Sequence, residues 1–104
     1  MKLSSDLKKS LAVYTADLKG DISITLQKGS HKKRDDLVTF LSDVCNVSSR
    51  LNLQEDDNLP GAKSPLSFTL SHDGIDSGIA FSGIPAGHEF NTFVLAILQL
   101  GGSD

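Results

Sequence analysis

Residues 22–53 read ISITLQKGSHKKRDDLVTFLSDVCNVSSRLNL, and the fold turns on them. Ile22, Ile24 and Leu26 alternate with Ser23, Thr25 and Gln27, the period-two pattern of a strand with one dry and one wet face. Gly29-Ser30 breaks the strand and offers a helix cap. Leu37, Phe40, Leu41 and Val44 then recur at helical spacing, marking one face of a helix that reaches about Val47. Leu51 and Leu53 alternate again and predict a short strand. Strand, helix and strand in that order need a crossover, so the two strands are expected to run parallel.

On the N-terminal side, Leu7, Leu11, Tyr14 and Leu18 predict a leading helix, with Ser4 or Ser5 as N-cap and Asp6 in its first turn. Lys19-Gly20 ends it. On the C-terminal side, EDDNLPGAKS (55–64) is acidic, then turn-rich, and reads as a loop. Leu66, Phe68 and Leu70 predict a third strand. His72-Asp73-Gly74 begins a turn, and residues 79–81 predict a fourth strand, antiparallel to the third. A second loop spans 83–87. Residues 88–100 are apolar almost all round at helical spacing, so that helix needs cover on more than one side. Gly101-Gly102 stops it.

The order α-β-α-β-β-β-α predicts an α/β, thioredoxin-like fold over residues 1–104. It has one four-stranded mixed sheet flanked by three helices, expected on both faces. The crossover helix that many such folds place between the second and third strands is replaced by the loop 55–64. A ferredoxin-like fold is the runner-up and fits the order less well.

Composition narrows the function. The chain has 104 residues, 38% of them hydrophobic and 22% charged, enough for one buried core. A net charge of −3 and the lack of a basic stripe argue against nucleic acid. The N-terminus is too polar for a signal peptide, and the apolar run 93–98 is far short of the roughly 20 residues that span a bilayer. A cytoplasmic protein is expected. One cysteine excludes an internal disulfide, and His31, His72 and His88 have no ligand spacing, so no metal site is expected.

In a thioredoxin fold the working dithiol sits where the first core strand meets the next helix, whose N-terminus favours the thiolate. Here that junction, residues 27–34, reads QKGSHKKR and holds no cysteine. Cys45 falls at the far end of the helix, where the dipole disfavours a thiolate, and it reads as structural. The cations Lys28, Lys32, Lys33 and Arg34, with His31, read as a solvated helix start rather than an anion site. Residues 83–87 are glycine-rich but lack the spacing of a nucleotide loop.

The stretch 79–102, IAFSGIPAGHEFNTFVLAILQLGG, resembles the N-terminal region of the alkyl hydroperoxide reductase F subunit, the flavoprotein component of that system. The resemblance rests on Gly83, Pro85, Gly87-His88-Glu89-Phe90, Val94-Leu95-Ala96 and Gly101-Gly102. Asp57-Asn58-Leu59-Pro60 and Pro65-Leu66-Ser67-Phe68 add to it. It implies the first of two tandem thioredoxin folds, the one without CxxC, either as a fragment or as a free-standing relative. The implied role is a non-catalytic scaffold or docking domain. Its implied partners are a dithiol-bearing thioredoxin fold, a flavoprotein reductase body and a peroxiredoxin, with a homodimer as a further option. FAD and NAD(P)H would belong to the rest of such a reductase. Pro65 would stand where the fold keeps its cis-proline, with Ser30 and His31 at the vestigial redox position. Glu89, with His88, is the candidate acid/base acting on a dithiol outside this chain. The helix dipole alone also accounts for a carboxylate there. A monothiol enzyme using Cys45 and a protein-interaction module without redox activity are the competing classes.

Overall fold

A computed structural model describes residues 4–59, 62–85 and 88–102, without the side chain of His88. The elements follow the order α1 (Ser5–Thr15), β1 (Ile22–Gln27), α2 (Arg34–Cys45), β2 (Leu51–Asp56), β3 (Ser67–His72), β4 (Ile75–Ser82) and α3 (His88–Leu100). The sheet order is β2-β1-β3-β4. β1 and β2 are parallel, with Ile22 opposite Leu51; β3 is antiparallel to both β1 and β4. This is the thioredoxin-like arrangement expected from the sequence.

Alternation along the strands decides which face is dry. Ile22, Ile24 and Leu26 of β1 and Phe68 and Leu70 of β3 are fully buried. They join one cluster with Leu11 of α1, Leu37, Phe40, Leu41 and Val44 of α2, and Phe93 and Ile97 of α3. Burying side chains of this size contributes about 1.5–3 kcal/mol each. All five phenylalanines of the chain meet here. Phe93 is the hub, with ring centroids 6.2 Å from Phe40, 5.8 Å from Phe68 and 5.6 Å from Phe81.

All three helices therefore pack on one face, which corrects the expectation of helices on both. The other face shows Ser23, Thr25 and Gln27 beside Asn52 and Gln54, and no helix covers it among the described residues. Its polar side chains satisfy one another: Ser23 Oγ donates to Asn52 Oδ1 at 2.8 Å and Gln54 Nε2 to Thr25 Oγ1 at 2.9 Å. A missing crossover helix leaves a sheet face that hydroxyls and amides must keep compatible with water.

Several boundaries also differ from expectation. α1 ends at Thr15, whose hydroxyl donates to Leu11 O at 2.7 Å, so Leu18 reaches the core from a loop. Tyr14 and Leu7 stand largely in solvent, so the leading helix buries a narrower stripe than its periodicity suggests. β2 runs on through Glu55 and Asp56, because parallel pairing with Leu26 and Gln27 outweighs their poor strand propensity. β4 begins at Ile75, directly after a two-residue Asp73-Gly74 turn with φ of 51° and 84°, the geometry such hairpins favour.

One end of the sheet is latched by that turn. Asp21 N donates to Asp73 Oδ1 at 2.7 Å, Asp73 N donates to Asp21 O at 2.8 Å, and His72 Nε2 donates to Lys19 O at 2.7 Å. Gly20 (φ 80°) is needed here: a Cβ on it would lie 2.5 Å from Asp73 Oδ2.

Candidate functional site

The strands carry the chemistry to the opposite end. β1 points there and α2 starts there. β4 runs parallel to β1 through two antiparallel pairings, so it ends there and α3 also starts there. The β1–α2 junction, the approach to β3 and the first turn of α3 thus gather at one end of the sheet.

The junction itself is a turn rather than a helix start. α2 begins at Arg34, four residues after Ser30, so Ser30 does not cap it. Lys33 stands at the N-cap with no side-chain bond to the helix; His31 Nδ1 instead accepts from Lys33 N at 3.0 Å. Asp35 and Asp36 supply the acidic first turn. Ser30, His31, Lys32 and Lys33 are exposed.

Pro65 lies against this junction. A Cβ on Gly29 (φ 146°) would stand 2.7 Å from Pro65 Cγ, so only glycine lets the two segments approach this closely. No described peptide bond is cis, and Ser64–Pro65 is trans.

Two side chains hold the region together: Arg34, which the sequence placed in a solvated cationic cluster and which is instead mostly buried and bonded, and Gln27, which it placed only on the wet face of β1. Arg34 Nη1 donates to Pro65 O at 3.2 Å, and Nη2 donates to Glu55 Oε1 at 3.0 Å. Its side chain is only 12% exposed, so this guanidinium is a clamp and not a free cation. Gln27 extends the sheet with its side chain: Nε2 donates to Asp57 O at 2.6 Å and Oε1 accepts from Leu59 N at 2.8 Å. That amide holds the segment replacing the crossover helix and tucks Leu59 down to 8% exposure. The alternation that placed Gln27 on the wet face was the available signal; its partners, 30 and 32 residues away, were not legible.

Cys45 is the last residue of α2, at the other end from Ser30 and Pro65. Burial pushes its thiol from an ordinary 9.0 up to about 12. Glu89 is exposed in the first turn of α3. The side chain of His88 lies outside the described residues, as do Ala86 and Gly87 before it. The structure therefore brings Pro65 to the Ser30–His31 turn and puts Glu89 at the same end of the fold, with Cys45 remote from all of them. Among the described residues no group of three or more His, Cys, Asp or Glu side chains is placed to hold a metal ion. Among them, too, no helix is long and apolar enough to cross a membrane.

Comparison with known proteins adds a relationship to this geometry. The alkyl hydroperoxide reductase F subunit of Staphylococcus aureus is 37% identical over 100 residues, covering 96% of this chain and 19% of that protein. Its Staphylococcus epidermidis counterpart is 36% identical over the same share. The solved N-terminal domain of the Enterococcus faecalis protein superimposes with a TM-score of 0.85 at 27% identity, over 98% of this chain and 54% of that one. The chain is a homologue of the N-terminal region of the alkyl hydroperoxide reductase F subunit. It spans about a fifth of the length of the curated relatives it matches, and about half of the solved domain. A protein disulfide oxidoreductase from Aeropyrum pernix shares the fold, with a TM-score of 0.75 at 16% identity. No family model matches the chain. The relatives bear out the resemblance carried by residues 57–68 and 79–102.

Proposed function

We propose that this chain is a non-catalytic thioredoxin-fold docking domain in peroxide-detoxifying electron transfer. It would serve an alkyl hydroperoxide reductase that passes electrons through a neighbouring dithiol fold to a peroxiredoxin. The observation that carries the reading is the state of the redox position. Where a thiolate would need a helix N-terminus, there is an exposed basic turn backed by Gly29, Pro65 and the Arg34 clamp. The one thiol is at the wrong end of α2 and is held protonated far above neutral pH. FAD and NAD(P)H are assigned to the rest of such a reductase, since the sequence here has no nucleotide-type glycine loop. A free thiol of this kind suits a reducing cytoplasm.

Within this reading Glu89 is the working residue, with His88 beside it. Its carboxylate is exposed at the end of the fold where a dithiol would be presented. Thiol–disulfide exchange needs a proton moved to and from sulfur, which a neighbouring carboxylate can do. The test joins this domain to its dithiol fold and replaces Glu89 by Gln. The expected result is an altered pH dependence of dithiol reactivity and a fall of about 10-fold or more in peroxiredoxin reduction. An unchanged thiol pKa and rate, with the fold intact, would leave Glu89 as a charge on a helix end.

One observation favours the alternative of an interaction module without redox activity. An apolar groove of about 530 Å³ runs between α1 and α3, past Leu7, Tyr14, Phe90 and Leu95. Leu95 is 53% exposed, whereas Phe93 on the same helix is fully buried. If the joined domain leaves dithiol reactivity untouched while substitutions in this groove abolish assembly, the module reading replaces the first.

A further inference from the structure

We propose that α1 is a detachable cover over α3, released as a unit at residues 16–18 while the chain behind it stays fastened to the sheet. Little holds the cover down. Leu11 and Thr15 are its buried residues, and Leu7, Val13 and Tyr14 stand out in solvent. Its side-chain hydrogen bonds among the described residues are internal: Ser4 Oγ accepts from Leu7 N at 3.2 Å, and Thr15 Oγ1 donates to Leu11 O at 2.7 Å. The groove of about 530 Å³ between α1 and α3 leaves their contact incompletely filled. Eleven residues make a marginal helix in water, so α1 detaches and melts in one step.

The chain that follows is anchored from several sides. Lys19 N donates to Gly101 O at 2.9 Å, Lys19 O accepts from His72 Nε2, and Asp21 is bonded to Asp73 through both its N–H and its carbonyl. Leu18 is buried so close over Gly101 that a Cβ there would overlap its Cδ2. Between cover and anchor the backbone bonds are stretched: Ala16 N donates to Val13 O at 3.4 Å and Leu18 N to Thr15 O at 3.2 Å. The break is therefore placed at 16–18, and the anchor survives it.

Release changes what α3 presents. Phe93 and Ile97 form one stripe of that helix, fully buried in the core. Phe90, Val94 and Leu98, four residues apart, form a second stripe and line the groove beneath α1, which no charged side chain lines. Detaching α1 bares the second stripe and leaves the first in place. The apolar pattern of residues 88–100 thus has two covers, one fixed and one releasable.

This proposal concerns the same groove as the interaction-module reading but needs no partner, so the chain alone tests it. Amide hydrogen exchange of the folded chain, followed by NMR, is the first measurement. Residues 11–15 should share one opening constant, at least about 100-fold larger than that of the α2 amides 38–45. Lys19, behind the break, should stay slow with α2. Ile24→Val weakens the core beneath the cover; it should speed exchange in α2 and β1 about two- to tenfold and leave 11–15 unchanged. Val94→Cys, made together with Cys45→Ser, should react with a thiol reagent at a rate set by the α1 opening constant. The proposal is overturned if residues 11–15 exchange at the α2 rate, or if their rates grade smoothly from the Ser4 end, as fraying would make them. It is equally overturned if Ile24→Val speeds them in step with α2, or if Val94→Cys reacts only at the rate of global unfolding. If Val94→Cys fails to fold, the exchange results decide.

Discussion

The two faces of the sheet are built from alternate residues of the same four strands, yet they solve opposite problems. One face presents Ile22, Ile24, Leu26, Phe68 and Leu70 to three helices and ends in a phenylalanine cluster. The other presents Ser23, Thr25, Gln27, Asn52, Gln54 and Thr69, with one irregular segment over part of it. The helical face is held by burial, which is non-directional and additive in area. The open face is held by a few directed hydrogen bonds, each modest but each specific. With no helix between β2 and β3 among the described residues, the open face still presents no apolar stripe. The residues that such a helix would cover are hydroxyls and amides, and Gln27 and Arg34 hold the remaining connection.

The largest effect should come from the helical face. Phe93→Ala removes the ring that touches Phe40, Phe68 and Phe81 and leaves a cavity at their junction. We expect a loss of about 3–5 kcal/mol in urea unfolding. A loss below about 1 kcal/mol would mean that the helical face does not carry the stability.

On the open face the corresponding change is Gln27→Ala, which strands Asp57 O and Leu59 N together. A loss of about 1–3 kcal/mol is expected. Hydrogen exchange should accelerate in residues 57–66 and stay slow in β1 and α2. Uniform acceleration would show that this segment is not held locally.

That contrast also separates what the sequence disclosed from what it hid. Period two in residues 22–27 and period 3.6 in 34–45 and 88–100 are signatures of burial, and burial is what holds the helical face. Element order, the parallel β1–β2 pair, the antiparallel β3 and the span of α3 were all legible for that reason. The absence of a second helical layer followed from the same alternation, since Ser23, Thr25 and Gln27 could not have faced a packed helix. A fold with helices on both faces would need apolar residues at those three positions. The empty redox position and the remote Cys45 were visible as the absence and place of one residue type. The Arg34 and Gln27 contacts were not, because each joins residues 21 to 32 positions apart through side-chain geometry that no local pattern encodes. Ser30 as a cap failed for a related reason: the turn at 31–33 is closed by His31 and by Arg34 N donating to His31 O, so the helix starts later.

A smaller effect concerns pH. Cys45 has its folded pKa raised by burial, so the neutral thiol is the form the fold favours. Its contribution is fully present below the unfolded value of 9.0 and is lost as pH rises toward about 12. Across that alkaline window Cys45→Ala should lose stability less steeply than the parent, while at pH 7 the two slopes should match. Identical slopes throughout would show that the thiol is freer than its place at the end of α2 suggests.

A fold with an empty redox position and a protonated, remote thiol should have no disulfide chemistry of its own. Insulin disulfide reduction by the isolated chain decides this, with dithiothreitol as the electron source and Cys45→Ser beside the parent. Neither protein should raise the rate above that of dithiothreitol alone. A parent that accelerates reduction, with Cys45→Ser inactive, would show that the fold reduces disulfides through its single cysteine after all.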